Sequence, residues 1–106
     1  MSRPSVFITG AAAGIGRTAA LHFARQGWFV GAYDVDEVGL SSLKAELGDG
    51  MTGRLDVCNY DAWTHSLEAF FTAAGGRLDV LVNNAGILSS GPFENTPIAR
   101  HHLMVD

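Results

Sequence analysis

The chain has 106 residues, of which 47% are hydrophobic and 17% charged, a composition typical of a folded domain and not of a disordered one. Its net charge of −4 and its seven scattered Lys and Arg residues exclude a general nucleic-acid-binding surface. One cysteine, Cys58, rules out an internal disulfide, and no apolar run approaches the roughly 18 residues of a membrane span, so a cytoplasmic protein without membrane contact is expected.

The first third of the chain predicts a strand, a helix and a second strand. The apolar run Val6 to Thr9 predicts a short buried strand, and apolar residues at helical spacing predict a helix from Gly14 to Gln26 that Gly27 ends. Trp28 to Tyr33 predict a second strand, which ends at Asp34. The predicted buried stripe of the helix consists of Ile15, Ala19, Ala20, Phe23 and Ala24.

The same alternation continues through the middle of the chain. Asp36 is the predicted N-cap of a second helix, and Met51 to Leu55 predict a third strand, which Gly53 weakens. Asp61 is the predicted N-cap of a third helix, and Leu78 to Val82 predict a strongly apolar fourth strand. The predicted stripes are Leu40, Leu43 and Leu47 on the second helix and Trp63, Leu67, Phe70, Phe71 and Ala74 on the third.

Regular alternation of strands and helices predicts an α/β fold, a Rossmann-type doubly wound parallel sheet with strand order 3-2-1-4. A cofactor would then lie over the carboxyl ends of the strands, at the switch between strands 1 and 4. Beyond the fourth strand, Thr96 and Pro97 predict the N-cap and first turn of a further helix that continues to the end of the sequence.

A glycine-rich segment between the first strand and the first helix predicts a phosphate-binding loop. Gly10 allows a sharp turn off the strand, while Gly14 and Gly16 remove Cβ atoms where backbone must approach a pyrophosphate or a neighbouring strand. The following helix directs its N–H groups and positive dipole end at the anion.

The end of the second strand predicts the cofactor's identity. Asp34 lies 18 residues after Gly16, where a carboxylate can accept hydrogen bonds from an adenosine ribose and repel a 2′-phosphate. Arg17 is a competing signal, because a cation at a helix start attracts phosphate. Asp34 would occupy the ribose position directly, so NAD is predicted over NADP.

Four motifs in order resemble the N-terminal half of a classical short-chain dehydrogenase/reductase: Thr9-Gly10-x-x-x-Gly14-Ile15-Gly16, Asp34, Asp56-Val57 and Asn83-Asn84-Ala85-Gly86. The resemblance implies that Gly10, Gly14, Ile15 and Gly16 surround the pyrophosphate and that Asp34 binds the adenosine ribose. It implies that Asp56 and Val57 contact the adenine, that Asn83, Ala85 and Gly86 lie along the nicotinamide ribose and stabilise the central sheet, and that Asn84 holds the turn after the fourth strand.

The resemblance also implies an enzyme that interconverts a small alcohol and a carbonyl compound by hydride transfer. That family uses a Tyr-x-x-x-Lys pair, yet Tyr33 and Tyr60 are followed four residues later by Glu37 and Thr64. We therefore expect residues 1–106 to be the cofactor-binding portion of a longer enzyme, inactive alone, with no catalytic residue of its own. The family is commonly dimeric or tetrameric, so a homo-oligomer is expected at full length.

Two other functions are consistent with the sequence. A non-catalytic dinucleotide-binding module, or a truncated homologue, would carry the same motifs without the Tyr-x-x-x-Lys pair. A sugar-nucleotide epimerase is disfavoured, because its usual glycine spacing is Gly-x-x-Gly-x-x-Gly. No metal site is predicted: adjacent His101 and His102 would diverge by about 100° on a helix and have no carboxylate or Cys in register.

Overall fold

A computed structural model describes residues 3–84 and 103–105. Within these residues, five parallel strands form one sheet in the order β3-β2-β1-β4-β5. The order predicted for the first four strands and the doubly wound fold class are confirmed. The elements are β1 (Ser5–Thr9), α1 (Gly14–Arg25), β2 (Phe29–Asp34), α2 (Glu37–Leu47), β3 (Met51–Arg54), α3 (Tyr60–Ala73), β4 (Val80–Asn83) and β5 (Leu103–Val105).

Helices cover both faces of the sheet. Strand side chains alternate between the faces, so one side of β1 carries Val6 and Ile8 and the other carries Phe7. The first side packs against α1 and α2, with Ala20, Leu40, Leu43 and Leu47 in the buried cluster. The second side packs against α3, through Trp63, Leu67 and Phe70. β1 is buried along its whole length, as expected for a central parallel strand.

The strand register brings the carboxyl ends of the strands, with the predicted site residues, to one edge of the sheet. Thr9, the last residue of β1, lies beside Tyr33 of β2 on one side and Asn83 of β4 on the other. Asp34 lies beside Arg54 at the end of β3. The carboxyl ends of four strands therefore converge where the glycine-rich loop leaves β1.

Side-chain oxygens cap the starts of α2 and α3. The Asp36 carboxylate accepts a hydrogen bond from the Gly39 amide at 3.0 Å, so the predicted N-cap of α2 is confirmed. The α3 prediction was wrong: the side chain of Asn59, not that of Asp61, accepts from the Ala62 amide at 3.1 Å. Asn is an equally good cap, and it leaves Asp61 in the first turn, where its charge suits the helix dipole.

Two residues of the predicted apolar stripes are not in the core. Ile15 is 74% exposed, because it lies in the first turn of α1 beyond the carboxyl edge of the sheet. Phe71 is 39% exposed, whereas its neighbour Phe70, about 100° away around the helix, is fully buried. Only one of the two adjacent rings can face the sheet.

Strand β5 corrects a further prediction. Leu103–Val105 pair in parallel with β4, where the sequence predicted a helix continuing to the end. An apolar strand edge needs a hydrogen-bonding partner, and β5 gives one to Val80–Val82. The predicted start of that helix, Thr96 and Pro97, lies outside the described residues. None of the described helices is long and apolar enough to cross a membrane.

Strand glycines make room for aromatic rings on the α3 side. The Tyr33 ring stacks on Phe7 at 4.5 Å, and a Cβ added to Gly53 would lie 2.6 Å from the Tyr33 ring. A Cβ added to Gly31 would lie 2.6 Å from the Phe70 ring. Burial raises the pKa of the Tyr33 phenol, so this tyrosine is a neutral core residue.

Candidate functional site

The glycine-rich loop turns sharply between β1 and α1. Gly10 and Gly14 have φ values of +66° and +60°, in the left-handed region that glycine adopts without steric cost. Gly16 serves a different purpose, since a Cβ there would lie 2.1 Å from the Gly10 carbonyl oxygen. The third glycine therefore allows the start of α1 to pack on the turn itself.

The outer side of this loop is open. A Cβ added to Gly14 would meet no atom within 4 Å, and Ala13 and Ile15 beside it are exposed. Ala13 is the N-cap residue of α1, has no side-chain capping bond, and is followed by no acidic residue in the first turn. The positive end of α1 thus meets the surface without a carboxylate or amide oxygen from its own N-cap or first turn.

Asp34 joins the end of β2 to the glycine-rich loop. Its Oδ2 accepts a hydrogen bond from the Ala12 amide at 3.0 Å, and its Oδ1 accepts from the Asp36 amide at 3.1 Å. The Ala11 amide also donates to the Tyr33 carbonyl at 3.2 Å. A carboxylate has about four acceptor positions, so these two bonds leave capacity for a sugar hydroxyl.

The guanidinium of Arg17 is directed to α2. Nη2 donates to Glu46 at 2.6 Å and to the Ser42 hydroxyl at 3.0 Å, while Nη1 donates to the Gly39 carbonyl at 3.2 Å. Nη1 also lies 3.4 Å from the Ala12 carbonyl oxygen. Arg17, which the sequence offered as a possible phosphate-binding cation, is therefore paired with the carboxylate of Glu46 on α2.

Two consecutive asparagines connect β4 to β1. The Thr9 hydroxyl donates to the side-chain oxygen of Asn83 at 3.0 Å, and both residues are buried. The side-chain Nδ2 of Asn84 donates to the Gly10 carbonyl at 3.2 Å, so this side chain holds the glycine-rich loop. The sequence predicted for Asn84 only a role in the turn after β4, because the contact with Gly10 joins residues 74 positions apart and leaves no local pattern.

The remaining predicted site residues are placed only in part. Asp56 is exposed after the end of β3, where Oδ1 accepts from the Cys58 amide at 3.0 Å. Val57 is half-buried against the α3-side core. Ala85 and Gly86 lie outside the described residues. Gly10, Gly14, Ile15, Gly16, Asp34 and Asn83 do converge at the carboxyl edge, although their roles toward a cofactor stay predictions.

Sequence reasoning missed two contacts that shape the site. The half-exposed side chain of Glu46 pairs with Arg17, 29 residues earlier in the chain, and no sequence pattern predicted this contact. Thr9 is predicted as the end of a strand and the first residue of the glycine-rich motif, but not as the partner of Asn83, to which its hydroxyl joins β1. Residues 3–84 and 103–105 include no group of three or more His, Cys, Asp or Glu side chains that could hold a metal ion.

Comparison with known proteins identifies the chain's relatives. A family model described as short chain dehydrogenase matches residues 4–106. An uncharacterized oxidoreductase, YuxG, of Bacillus subtilis is 33% identical over 96% of this chain and 16% of its own length. The 2,5-dichloro-2,5-cyclohexadiene-1,4-diol dehydrogenase LinX of Sphingobium indicum is 37% identical over 92% of this chain and 40% of its own length. The chain thus spans less than half the length of these relatives.

A solved structure gives the same result. A short chain dehydrogenase/reductase from Burkholderia phymatum, in complex with NAD, superposes with a TM-score of 0.72 and 29% identity, over 76% of this chain and 30% of that one. The motif order, the strand order and the family match over nearly the whole sequence agree with one another. The chain belongs to the short-chain dehydrogenase family.

Proposed function

We propose that residues 1–106 form the dinucleotide-binding portion of a dehydrogenase that interconverts a small alcohol and a carbonyl compound with NAD. The single observation that carries the proposal is the juxtaposition of an open, uncapped start of α1 with the Asp34 carboxylate across one glycine-rich loop. An anion-binding helix end beside a sugar-binding carboxylate matches the two chemical halves of an adenosine diphosphate.

The residues present fit such a cofactor. The space above Gly14 admits a phosphate to the first turn of α1, where backbone N–H groups and the helix dipole favour negative charge. The remaining acceptor capacity of Asp34 suits the adenosine ribose hydroxyls. Asp56 and Val57, after the neighbouring strand β3, would lie beside the adenine. Bound NAD supplies the hydride acceptor, and this chain's residues bind and orient it.

Asp34 favours NAD over NADP for an electrostatic reason. A 2′-phosphate at the adenosine ribose would bring negative charge against the carboxylate, and at about 4 Å two unit charges interact by a few kcal/mol near a protein surface. Arg17 does not offset this repulsion in the structure, because its guanidinium is paired with Glu46.

The named relatives support the reaction class. LinX is named as a diol dehydrogenase, and the Burkholderia neighbour holds NAD. A homo-oligomeric state at full length stays a prediction from the family resemblance.

The test is calorimetric titration of the full-length protein with NAD and with NADP, for the parent and for Asp34→Asn. Losing the charge while keeping the shape should shift the affinity ratio toward NADP at least tenfold, about 1.4 kcal/mol. Asp61→Asn, the same charge change on α3, is the control and should leave the ratio unchanged. An unchanged ratio in Asp34→Asn contradicts the ribose role.

A turnover assay separates the two remaining functions. NAD-linked oxidation of a panel of secondary alcohols and diols by the full-length protein would support the dehydrogenase. Tight NAD binding with no turnover of any alcohol would favour a non-catalytic dinucleotide-binding module. Failure to bind either dinucleotide at millimolar concentration would contradict both.

A further inference from the structure

Arg17 holds two segments of the chain together. Its guanidinium reaches forward to Gly39, Ser42 and Glu46 of α2 and back to the Ala12 carbonyl in the glycine-rich loop. The side chain is 23% exposed and that of Glu46 is 51% exposed, so this arrangement is partly screened from water. We call Arg17 and Glu46 the α1–α2 clamp.

The loop and α2 touch at the point where the clamp acts. A Cβ added to Gly39 would lie 2.8 Å from the Ala12 Cβ and 3.1 Å from the Ala12 carbonyl oxygen. A helix packed this closely fixes the position of the loop backbone, provided that something keeps the two together. Arg17 is suited to that task because its planar fork offers several donors in fixed directions.

The clamp and Asp34 act on the same loop residue. Asp34 accepts from the Ala12 amide, while Arg17 donates toward the Ala12 carbonyl. The guanidinium and the carboxylate that would meet the adenosine ribose are therefore both hydrogen-bonded to the backbone of Ala12. A cation bound to that residue would attract a 2′-phosphate on the ribose if its own charge were not balanced.

We propose that the α1–α2 clamp positions the glycine-rich loop and that Glu46, acting through Arg17, keeps the cofactor site selective against NADP. The inference rests on the proposed dinucleotide function and deepens it. Neither residue needs to touch the cofactor: Arg17 is a positioning residue for the loop, and Glu46 neutralises Arg17.

Calorimetry of the full-length protein with NAD and NADP tests the selectivity. Glu46→Gln should raise the affinity for NADP relative to NAD about fivefold, because an unbalanced guanidinium remains beside the ribose position. In an Arg17→Met background, Glu46→Gln should leave the ratio unchanged, since the residue through which it acts is gone. Glu68→Gln, on α3 at the opposite face, is the matched charge control and should shift nothing.

Hydrogen exchange of the cofactor-free protein tests the positioning role separately. Arg17→Met should speed exchange of the Ala11 and Ala12 amides about tenfold, while Arg17→Lys should give a smaller increase, because lysine lacks the planar fork. Arg25→Met, in the last turn of the same helix, is the control and should leave these amides as they are.

The outcomes separate failure of this inference from failure of the proposed function. If the parent binds neither dinucleotide, the proposed function fails and the selectivity role fails with it. If the parent binds NAD but Glu46→Gln leaves the ratio unchanged, or shifts it equally with and without Arg17, only the selectivity role is overturned. Unchanged exchange at Ala11 and Ala12 in Arg17→Met overturns the positioning role.

Discussion

The start of α1 differs from the starts of α2 and α3. Asp36 and Asn59 cap the latter two through side-chain oxygens, and each helix carries an acidic residue in its first turn, Glu37 and Asp61. At α1 the N-cap is Ala13, with neither a capping side chain nor a first-turn acid. Helices α2 and α3 therefore have their positive ends balanced by their own side chains, whereas α1 does not.

The missing cap at α1 has a cost in stability. A capped helix end gains about 1 kcal/mol, so its absence at α1 costs stability that a purely structural element would be expected to keep. The space beside Gly14 is open, since a Cβ added there would meet no atom within 4 Å. The helix end that lacks a cap is the one adjoining Asp34, which agrees with an anionic group bound between them.

The largest effect is expected from adding a side chain at Gly16, where the start of α1 packs closely on the turn. In Gly16→Ala the new Cβ would lie 2.1 Å from the Gly10 carbonyl, so the turn must shift. We expect a loss of about 3 kcal/mol in the free energy of unfolding, measured by urea denaturation.

Gly27→Ala is the matched control at the other end of α1. Its φ is +88°, and no atom lies within 4 Å of the added Cβ, so only backbone strain of about 1 kcal/mol is expected. Equal losses in the Gly16 and Gly27 variants would contradict the close packing of α1 on its turn.

Giving α1 the cap that it lacks tests whether its uncapped start binds the pyrophosphate. Ala13 has extended backbone angles, φ −153° and ψ 168°, which suit a capping residue. Ala13→Asp should stabilise the protein by about 0.5 to 1 kcal/mol and weaken NAD binding at least tenfold, because its carboxylate competes with the pyrophosphate. Thermal unfolding and calorimetry on one preparation measure both. Stabilisation with undiminished NAD binding would show that the anion lies elsewhere.

The smallest effect is expected from removing the side-chain cap of α3. Asn59→Ala removes the hydrogen bond to the Ala62 amide and should cost about 1 kcal/mol in urea denaturation. The bonds that hold Asp56 in this turn, from the backbone amides of Cys58 and Asn59, do not use the Asn59 side chain, so NAD affinity should stay within twofold of the parent. A tenfold loss of NAD affinity would mean that helix caps affect binding indirectly, and the Ala13 result would lose its meaning.

Much of the fold was predictable because local signals and burial agree. Apolar runs such as Val6 to Thr9 and glycines at element ends placed the strands and helices within a few residues. Asp36 was found as a cap because it directly precedes an apolar stripe. Asn59 was missed because Asp61 is an equally good local signal two residues later, and only the actual path of the chain decides between them.

The site was predictable in its composition but not in its internal contacts. Glycine spacing and Asp34 follow from short-range rules that hold for any strand, turn and helix. The pairing of Arg17 with Glu46 depends on how α1 and α2 pack against each other. The periodicity of apolar residues along the sequence does not predict that packing. Ile15 was predicted both for the core and for the cofactor loop, and its exposure excludes the core.

The strand glycines that face aromatic rings constrain how this sequence can diverge. Gly31 and Phe70, like Gly53 and Tyr33, fill each other's space across the α3-side core, so neither member can change alone without a clash or a void. A lineage that enlarges Gly31 must also shrink Phe70. We therefore expect each pair to vary as a unit among close homologues, independently of any change in what the protein binds.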